Sequence, residues 1–433
     1  MTTLKDALEK RPRQARRLMP TYWQKELDEL EPRGGSGIAQ VLFYHDTLLE
    51  HDKHDLLYAG FCLQFQWLEQ DISPDVNPEY RQQLAHEEER IKNLLLGGGG
   101  LQAEQLEGYH LHPYSMDNDP LGVRRFWHNE GEALLFTYES GTFILAASLY
   151  LAVMKVNTME NVWASAAWDG GLAGVEGIEE KIDAIYRMME KSGEKEHHLF
   201  VSPLNYEKAK KKAKDLERTD ATLSVYALDV NESNFIRALK PLLNKLDMPP
   251  GKDSSLEEKL AYANREYLDF RKRSSYFESD LAKPLAEALR QREGFAYQDV
   301  DTLVMVLSKN MGLCYFLHEL YKPKHSVVVV TEQTARSFDQ VKERYAQAKK
   351  FEYCEDMGEF LKGLKAFVGE DVISRTVVVD LTSGQAKHSV LLYEFARAQR
   401  YDAIYLQHYH NGARVEYSVE RTQLDVMKLA TRH

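Results

Sequence analysis

Apolar positions along the 433-residue chain fall into three textures. From Leu4 to about Leu96 they recur every three to four residues, as in Leu48, Leu49, Leu56, Leu57 and Phe61. That spacing predicts helices and no alternating strands. Gly97 to Gly100 then breaks the pattern, because four glycines cost too much entropy to sit inside an element. Between about Leu134 and Leu246 short apolar runs alternate with charged helical stretches, the mark of βα units. Strands are expected at Ala133 to Tyr138, Val162 to Ala166, His198 to Ser202 and Thr222 to Leu228.

A further helical stretch follows the Pro249-Pro250-Gly251 turn, with Ser255-Leu-Glu-Glu as a capping start, and runs to about Gln291. From Val300 to Ser418 the pattern is cleanest. Thr302 to Leu307, Ser326 to Val330, Lys350 to Cys354, Thr376 to Leu381 and Ala403 to Tyr409 read as strands separated by one-faced helices. Unbroken runs such as Val327 to Val330 and Val377 to Val379 imply burial on both faces, hence a Rossmann-like parallel sheet covered by helices. Arg414 to Ser418 is expected as its edge strand.

These textures divide the chain into an α-helical N-terminal domain (1–100), an α/β lobe (101–250), a helical connector (251–295) and a Rossmann-like domain (296–433). Segments 197–246 and 325–368 share one plan. Each has a strand ending in a polar turn, a basic helix, a strand ending in acidic residues, and a helix holding FIRALKPLL or FLKGLKAFV. A duplication explains this, and so does the general likeness of βαβα units.

Composition narrows the function classes. With 43% hydrophobic and 11% aromatic residues the chain has ample core material. Its 67 acidic against 55 basic residues give a formal charge of -12, so the surface as a whole repels polyanions and an anionic ligand must be gripped locally. Cys62, Cys314 and Cys354 lack metal-ligand spacing, and reduced, buried thiols are expected. The charged N-terminus lacks an apolar signal core, and the longest apolar run, Phe143 to Met154, falls short of the roughly twenty residues of a membrane span. A cytoplasmic protein without a membrane segment is expected.

Candidate chemistry concentrates in two strand-end loops, since open parallel sheets bind ligands beyond the carboxyl ends of their strands. Ser308-Lys309-Asn310 follows the first strand of the last domain. Thr382-Ser383-Gly384-Gln385-Ala386-Lys387 follows the fourth and leads into a helix near His388. Hydroxyls, a glycine and a cation make the second loop suited to phosphate, although Thr382 or Ser383 reads equally as a plain N-cap.

The order VMVLSKN, VVVVTEQ, VVVDLTSGQAK and AIYLQHYHNGARVEY, with helices and a strand between, resembles the CARF domain, the CRISPR-associated Rossmann fold of type III CRISPR accessory proteins. The resemblance covers about 120 residues of the chain. It implies an antiviral-defence accessory protein that binds cyclic oligoadenylate in a cleft between two lobes, either as a homodimer or as a pseudo-dimer within one chain, alongside other CRISPR-associated proteins. Carried over, the ligand residues would be Ser308, Lys309, Asn310, Thr382, Ser383, Gly384, Gln385 and Lys387, with Thr331 and Glu332 second. Gln385-Ala386 stands where the family usually has a single threonine. About fifteen residues follow Ser418, so an effector is expected upstream if there is one.

Enzymatic activity is left open by the residues, as ribonuclease or ring nuclease, against a partner-binding scaffold that keeps the fold without the ligand. Arg81-x(4)-His86 has the spacing of a HEPN ribonuclease pair. Asp169 with Glu179-x-Lys181 has roughly that of a restriction nuclease, yet sits in a helical pattern. His45, His51 and His54 lie among acids without helical register, His110-x-His112 lacks a third partner, and His408 with His410 alternate on a strand, so no metal or other cofactor is expected. Phe143 to Met154 reads as a buried packing helix, and Lys208 to Lys214 as a solvated face.

Overall fold

The structure, a computed structural model, describes residues 34–44, 60–69, 78–99, 101–113, 138–217, 220–229, 232–292, 300–308, 311–369, 376–383, 385–407, 409–411 and 414–427. It separates into two compact units, Met1–Met248 and Pro249–His433.

The first unit is built on a six-stranded sheet of β1 (Ile38–Tyr44), β2 (Gly60–Leu68), β3 (His110–Pro113), β4 (Val162–Ser165), β5 (Glu196–Val201) and β6 (Thr222–Ala227). Its order is β6-β5-β4-β1-β2-β3. The first four are parallel, and β2 and β3 are antiparallel to their neighbours. Helix α1 (Pro78–Gly97), α2 (Thr142–Val153), α3 (Ile178–Met189), α4 (Pro203–Asp215) and α5 (Phe235–Leu246) cover it. Leu42 packs with Ile178, Ile182 and Ile185 of α3. Its neighbour Val41 points the other way, where a side chain at Gly141, next to α2, would collide with it. Both faces of β1 are therefore covered, and six of its seven residues are buried.

This corrects the helical reading of the N-terminal region at Ile38–Tyr44 and Gly60–Leu68, whereas Pro78–Gly97 is the helix expected. IAQVLFY and GFCLQFQWL are strands at the centre of the sheet, and a strand buried on both faces shows no alternation that would separate it from a buried helix. Residues 1–100 and 101–250 accordingly share one sheet rather than forming two domains. Gly97 to Gly99 end α1 within that unit, Gly98 lying against Ile236 of α5. The expected strand Ala133 to Tyr138 lies outside the described residues except for Tyr138. Phe143 to Met154 is α2 almost throughout, buried as a packing helix. Lys208 and Lys212 of α4 pair with Glu179 and Asp183 of α3 at 2.9 and 2.8 Å, the solvated face expected.

The second unit opens with short helices that include α6 (Leu256–Ala263) and α7 (Ala282–Gln291). Ser255 caps α6 reciprocally: its Oγ accepts from Glu258 N at 3.2 Å, and its own N–H donates to Glu258 Oε2 at 2.8 Å. These helices belong to the same unit as the sheet and are not a separate connector. The sheet consists of β7 (Thr302–Val306), β8 (His325–Val330), β9 (Ala348–Glu352), β10 (Val377–Asp380), β11 (Asp402–Gln407) and β12 (Gln423–Met427), with helix α8 (Met311–Tyr321) between β7 and β8. Its order is β9-β8-β7-β10-β11-β12, with five strands parallel and β12 antiparallel.

Val304, Val306, Val327, Val329, Val377 and Val379 form one face of this sheet, packed with Phe360, Leu364, Leu392 and Phe395 of α9 (Met357–Val368) and α10 (Ala386–Gln399). Leu303, Met305, Val328 and Val378 are fully buried on the opposite face. Each such valine contributes roughly 1.5–2 kcal/mol of burial, which is why the continuous runs fold as central strands. The expected edge strand is displaced: Arg414–Glu416 pairs in a hairpin with Tyr409–Asn411, and β12 takes the edge.

The two segments of common plan run through the same elements and occupy the same places. The block β6-β5-β4 matches β9-β8-β7 in order and direction. The next strand differs in origin. In the first unit it is β1, from far upstream, and in the second it is β10, from downstream.

Candidate ligand site at the sheet's switch point

In the second unit the chain winds outward from β7 through β8 to β9, then restarts at β10 and winds the other way through β11. The strand order therefore reverses between β7 and β10, and diverging loops at such a point leave a crevice beyond the carboxyl ends. The parallel register Val304↔Val379 brings the ends of both strands to the same rim. Ser308 follows β7, and Thr382 and Ser383 follow β10, so these residues come from neighbouring strand ends. Thr331 and Glu332 follow β8, one strand further along the same rim. Lys309, Asn310 and Gly384 lie outside the described residues.

Asp380, the last residue of β10, organises the turn. It is 0% exposed; Thr382 N donates to its Oδ1 at 2.9 Å and Thr382 Oγ1 to its Oδ2 at 3.1 Å. Burial pushes the carboxyl up to about 7, more than these bonds and one from Ser383 N pull it down. Thr382 Oγ1 in turn accepts from Leu406 N at 2.8 Å, tying the turn to β11. Thr382 is thus a structural strut.

Ser383 is different. It is 2% exposed and its Oγ has no hydrogen-bond partner. A buried hydroxyl without a partner costs on the order of 1–3 kcal/mol, a cost that a guest's acceptor or donor would remove.

The helix after this turn, α10, starts at Ala386, two residues before the expected start. His388 occupies its third position, 5% exposed, with Nδ1 accepting from Gln385 N at 3.1 Å and Nε2 unpartnered. Burial and the nearby Lys387 ammonium hold its imidazole below the usual range. Gln385 and Lys387 are exposed. Lys387 is engaged: its Nζ lies 3.8 Å from Glu355 and 5.2 Å from the Tyr353 ring centroid. Thr331 is half-buried and engaged, its N–H donating to Thr334 Oγ1 at 3.0 Å and its own Oγ1 lying 3.2 Å from the same hydroxyl, while Glu332 is exposed. Asp380 and His388 were not among the candidates; the Gln385-x-x-His388 spacing of a helix N-cap and its third residue is the signal by which the latter could have been found.

The other candidates do not converge. Arg81 and His86 are both exposed on α1, and a separation of five residues sets them about 140° apart around the helix axis. Glu179 and Lys181 lie on α3, not on a strand. His110 sits 3.3 Å from Glu88. Among the described residues no group of three His, Cys, Asp or Glu side chains is placed to hold a metal ion. His45, His51, His54 and His408 lie outside the described residues. All three cysteines are free, Cys62 and Cys314 buried and Cys354 only half-buried. No described helix is long and apolar enough to cross a membrane.

No family model matches the chain, and no curated protein matches it. Among solved structures, an O-methyltransferase family protein from Burkholderia thailandensis is similar at 13% identity and a TM-score of 0.20. The match covers 36% of this chain and 46% of that one. The α/β character of the chain stands on its own strand order.

Proposed function

We propose that the second unit is a CARF-like sensor lobe that takes an anionic nucleotide of the cyclic oligoadenylate class at the crevice between β7 and β10, in an accessory protein of type III CRISPR antiviral defence. The observation that carries this reading is the buried, partnerless Ser383 hydroxyl at the point where the strand order reverses. Ser308 on the neighbouring strand end and the SKN and TSGQAK motifs support it. Calorimetry with cyclic tetra- and hexa-adenylate at about 50 µM protein tests it. Heat with one ring, weakened about tenfold in Ser383→Ala, is the expected result. Silence with both rings removes the sensor reading.

A partner-binding scaffold without ligand is the second reading. Asp380 favours it, because its carboxylate already takes the donors of the turn that an anion would seek. The same calorimetry separates the two.

A further inference from the structure

The imidazole of His388 fits no structural role completely. Its Nδ1 accepts from the Gln385 amide, and a backbone N–H can only donate, so Nδ1 carries no proton in this arrangement. Protonation would break that bond, and both burial and Lys387 oppose it. The neutral ring therefore bears its proton on Nε2, and that N–H finds no acceptor although the residue is 5% exposed. A ring anchored by Nδ1 over the first turn of α10 sends Nε2–H away from the amide that anchors it. Tyr353 meets the ring edge-on with centroids 4.8 Å apart, fixing its plane.

Two buried and unsatisfied groups thus flank the start of one 14-residue helix: the hydroxyl of Ser383 before it and the Nε2–H of His388 in its first turn. The amides of Ala386 and Lys387 have no acceptor inside the helix, which adds donors and the positive end of the dipole. Orphaned groups of this kind occur rarely in folded proteins and call for a partner. A neutral, oriented set of donors suits an oxygen that carries charge, as a phosphate ester does.

We infer that His388, through Nε2–H and together with Ser383 Oγ, grips a phosphate oxygen of the guest at the N-terminus of α10. The inference rests on the sensor reading and adds the residue that holds the oxyanion. Lys387, by contrast, contributes long-range attraction from its place between Glu355 and Tyr353.

The test titrates the full chain with cyclic tetra-adenylate, cyclic hexa-adenylate and inorganic phosphate, in the parent protein, in His388→Phe and in His388→Gln. Phenylalanine keeps the ring against Tyr353 and removes the donor, whereas glutamine restores an N–H. Binding of a ring should weaken about tenfold in His388→Phe, the equivalent of about 1.4 kcal/mol, and recover to within about threefold in His388→Gln. Nitrogen NMR of the parent protein, independent of any variant's folding, should show the Nε2–H tautomer and a shift of that proton on binding. Unchanged affinity in His388→Phe, or an unmoved Nε2 resonance in a protein that binds the ring, overturns this inference and leaves the sensor reading standing. Binding of phosphate but of neither ring, lost in His388→Phe, supports the oxyanion grip while removing the nucleotide. A parent protein that binds none of the three overturns both.

Discussion

His318 Nε2 meets Ser326 Oγ at 2.9 Å, and both residues are buried, at 2% and 0% exposure. The other ring nitrogen, Nδ1, lies 2.8 Å from Cys314 O, and Tyr345 stacks on the ring with centroids 4.2 Å apart. Helix Met311–Tyr321, which carries His318, is thereby bolted to the start of β8. Burial lowers the imidazole from 6.5 to about 4.

Unfolding by acid should register this histidine. The folded ring is neutral, and the unfolded ring takes a proton once the pH falls below 6.5, so its stabilisation is full above that value and lost as the pH drops toward 4. The loss is on the order of 3 kcal/mol. Chemical denaturation of His318→Gln and the parent protein at pH 7 and 4.5 checks this. The variant should lose less than the parent, and equal losses would contradict the assignment.

Asp380 works in the opposite sense. Its folded carboxyl titrates at about 7 against 3.8 unfolded, so the folded state binds the extra proton between those values. Stability from this group is full below 3.8 and lost as the pH rises through 7, by on the order of 4 kcal/mol. Asp380→Asn should gain on the parent protein between pH 5 and pH 8 in thermal melts. Melting temperatures that stay a fixed interval apart would argue against it. Between 4 and 6.5 the slopes of His318 and Asp380 oppose each other, so the parent protein should look flatter there than either variant.

Gly177 is a position where any side chain is excluded. It adopts φ 63 at the start of α3, and a Cβ there would lie 1.9 Å from the Tyr44 ring. Gly177→Ala combines left-handed strain with overpacking and should cost about 3 kcal/mol. Gly193→Ala, with nothing within 4 Å and no positive φ, should leave the melting temperature unchanged. A tolerant Gly177→Ala would mean that the approach of α3 to β1 is looser than described.

His86→Ala should leave any RNA cleavage unchanged, because Arg81 and His86 diverge around α1. An RNase assay in which this substitution abolishes a signal present in the parent protein would reinstate the pair.

Some of this architecture was legible in the residues and some was concealed for a physical reason. Val327 to Val330 identifies itself as a buried parallel strand because β-branched residues fill every position between polar turns. Ile38–Tyr44 is as deeply buried, yet Gln40 within it and the helically spaced leucines beyond it made the region read as helix. The strand β12 was missed because QLDVM is only five residues long and follows the Arg414 to Ser418 run that the pattern offered as the edge; its place is set by backbone pairing to β11. At the candidate site, the TSG turn was visible from its hydroxyls and glycine. The distinction between Thr382, consumed by Asp380 and Leu406, and Ser383, left over, depends on hydrogen bonds that no spacing encodes.

The two origins of the fourth strand give the halves of the chain different histories of assembly. During synthesis β7, β8 and β9 emerge in succession and can pair as they appear. By contrast, Val41 of β1 must wait for Ala164 of β4 before its parallel partner exists. Until then β1, β2 and β3 form at most an antiparallel three-stranded sheet whose β1 edge is bare, a condition exposed to mispairing on the ribosome. The first half should therefore be the slower to mature, and the one that depends more on a chaperone at the tunnel exit.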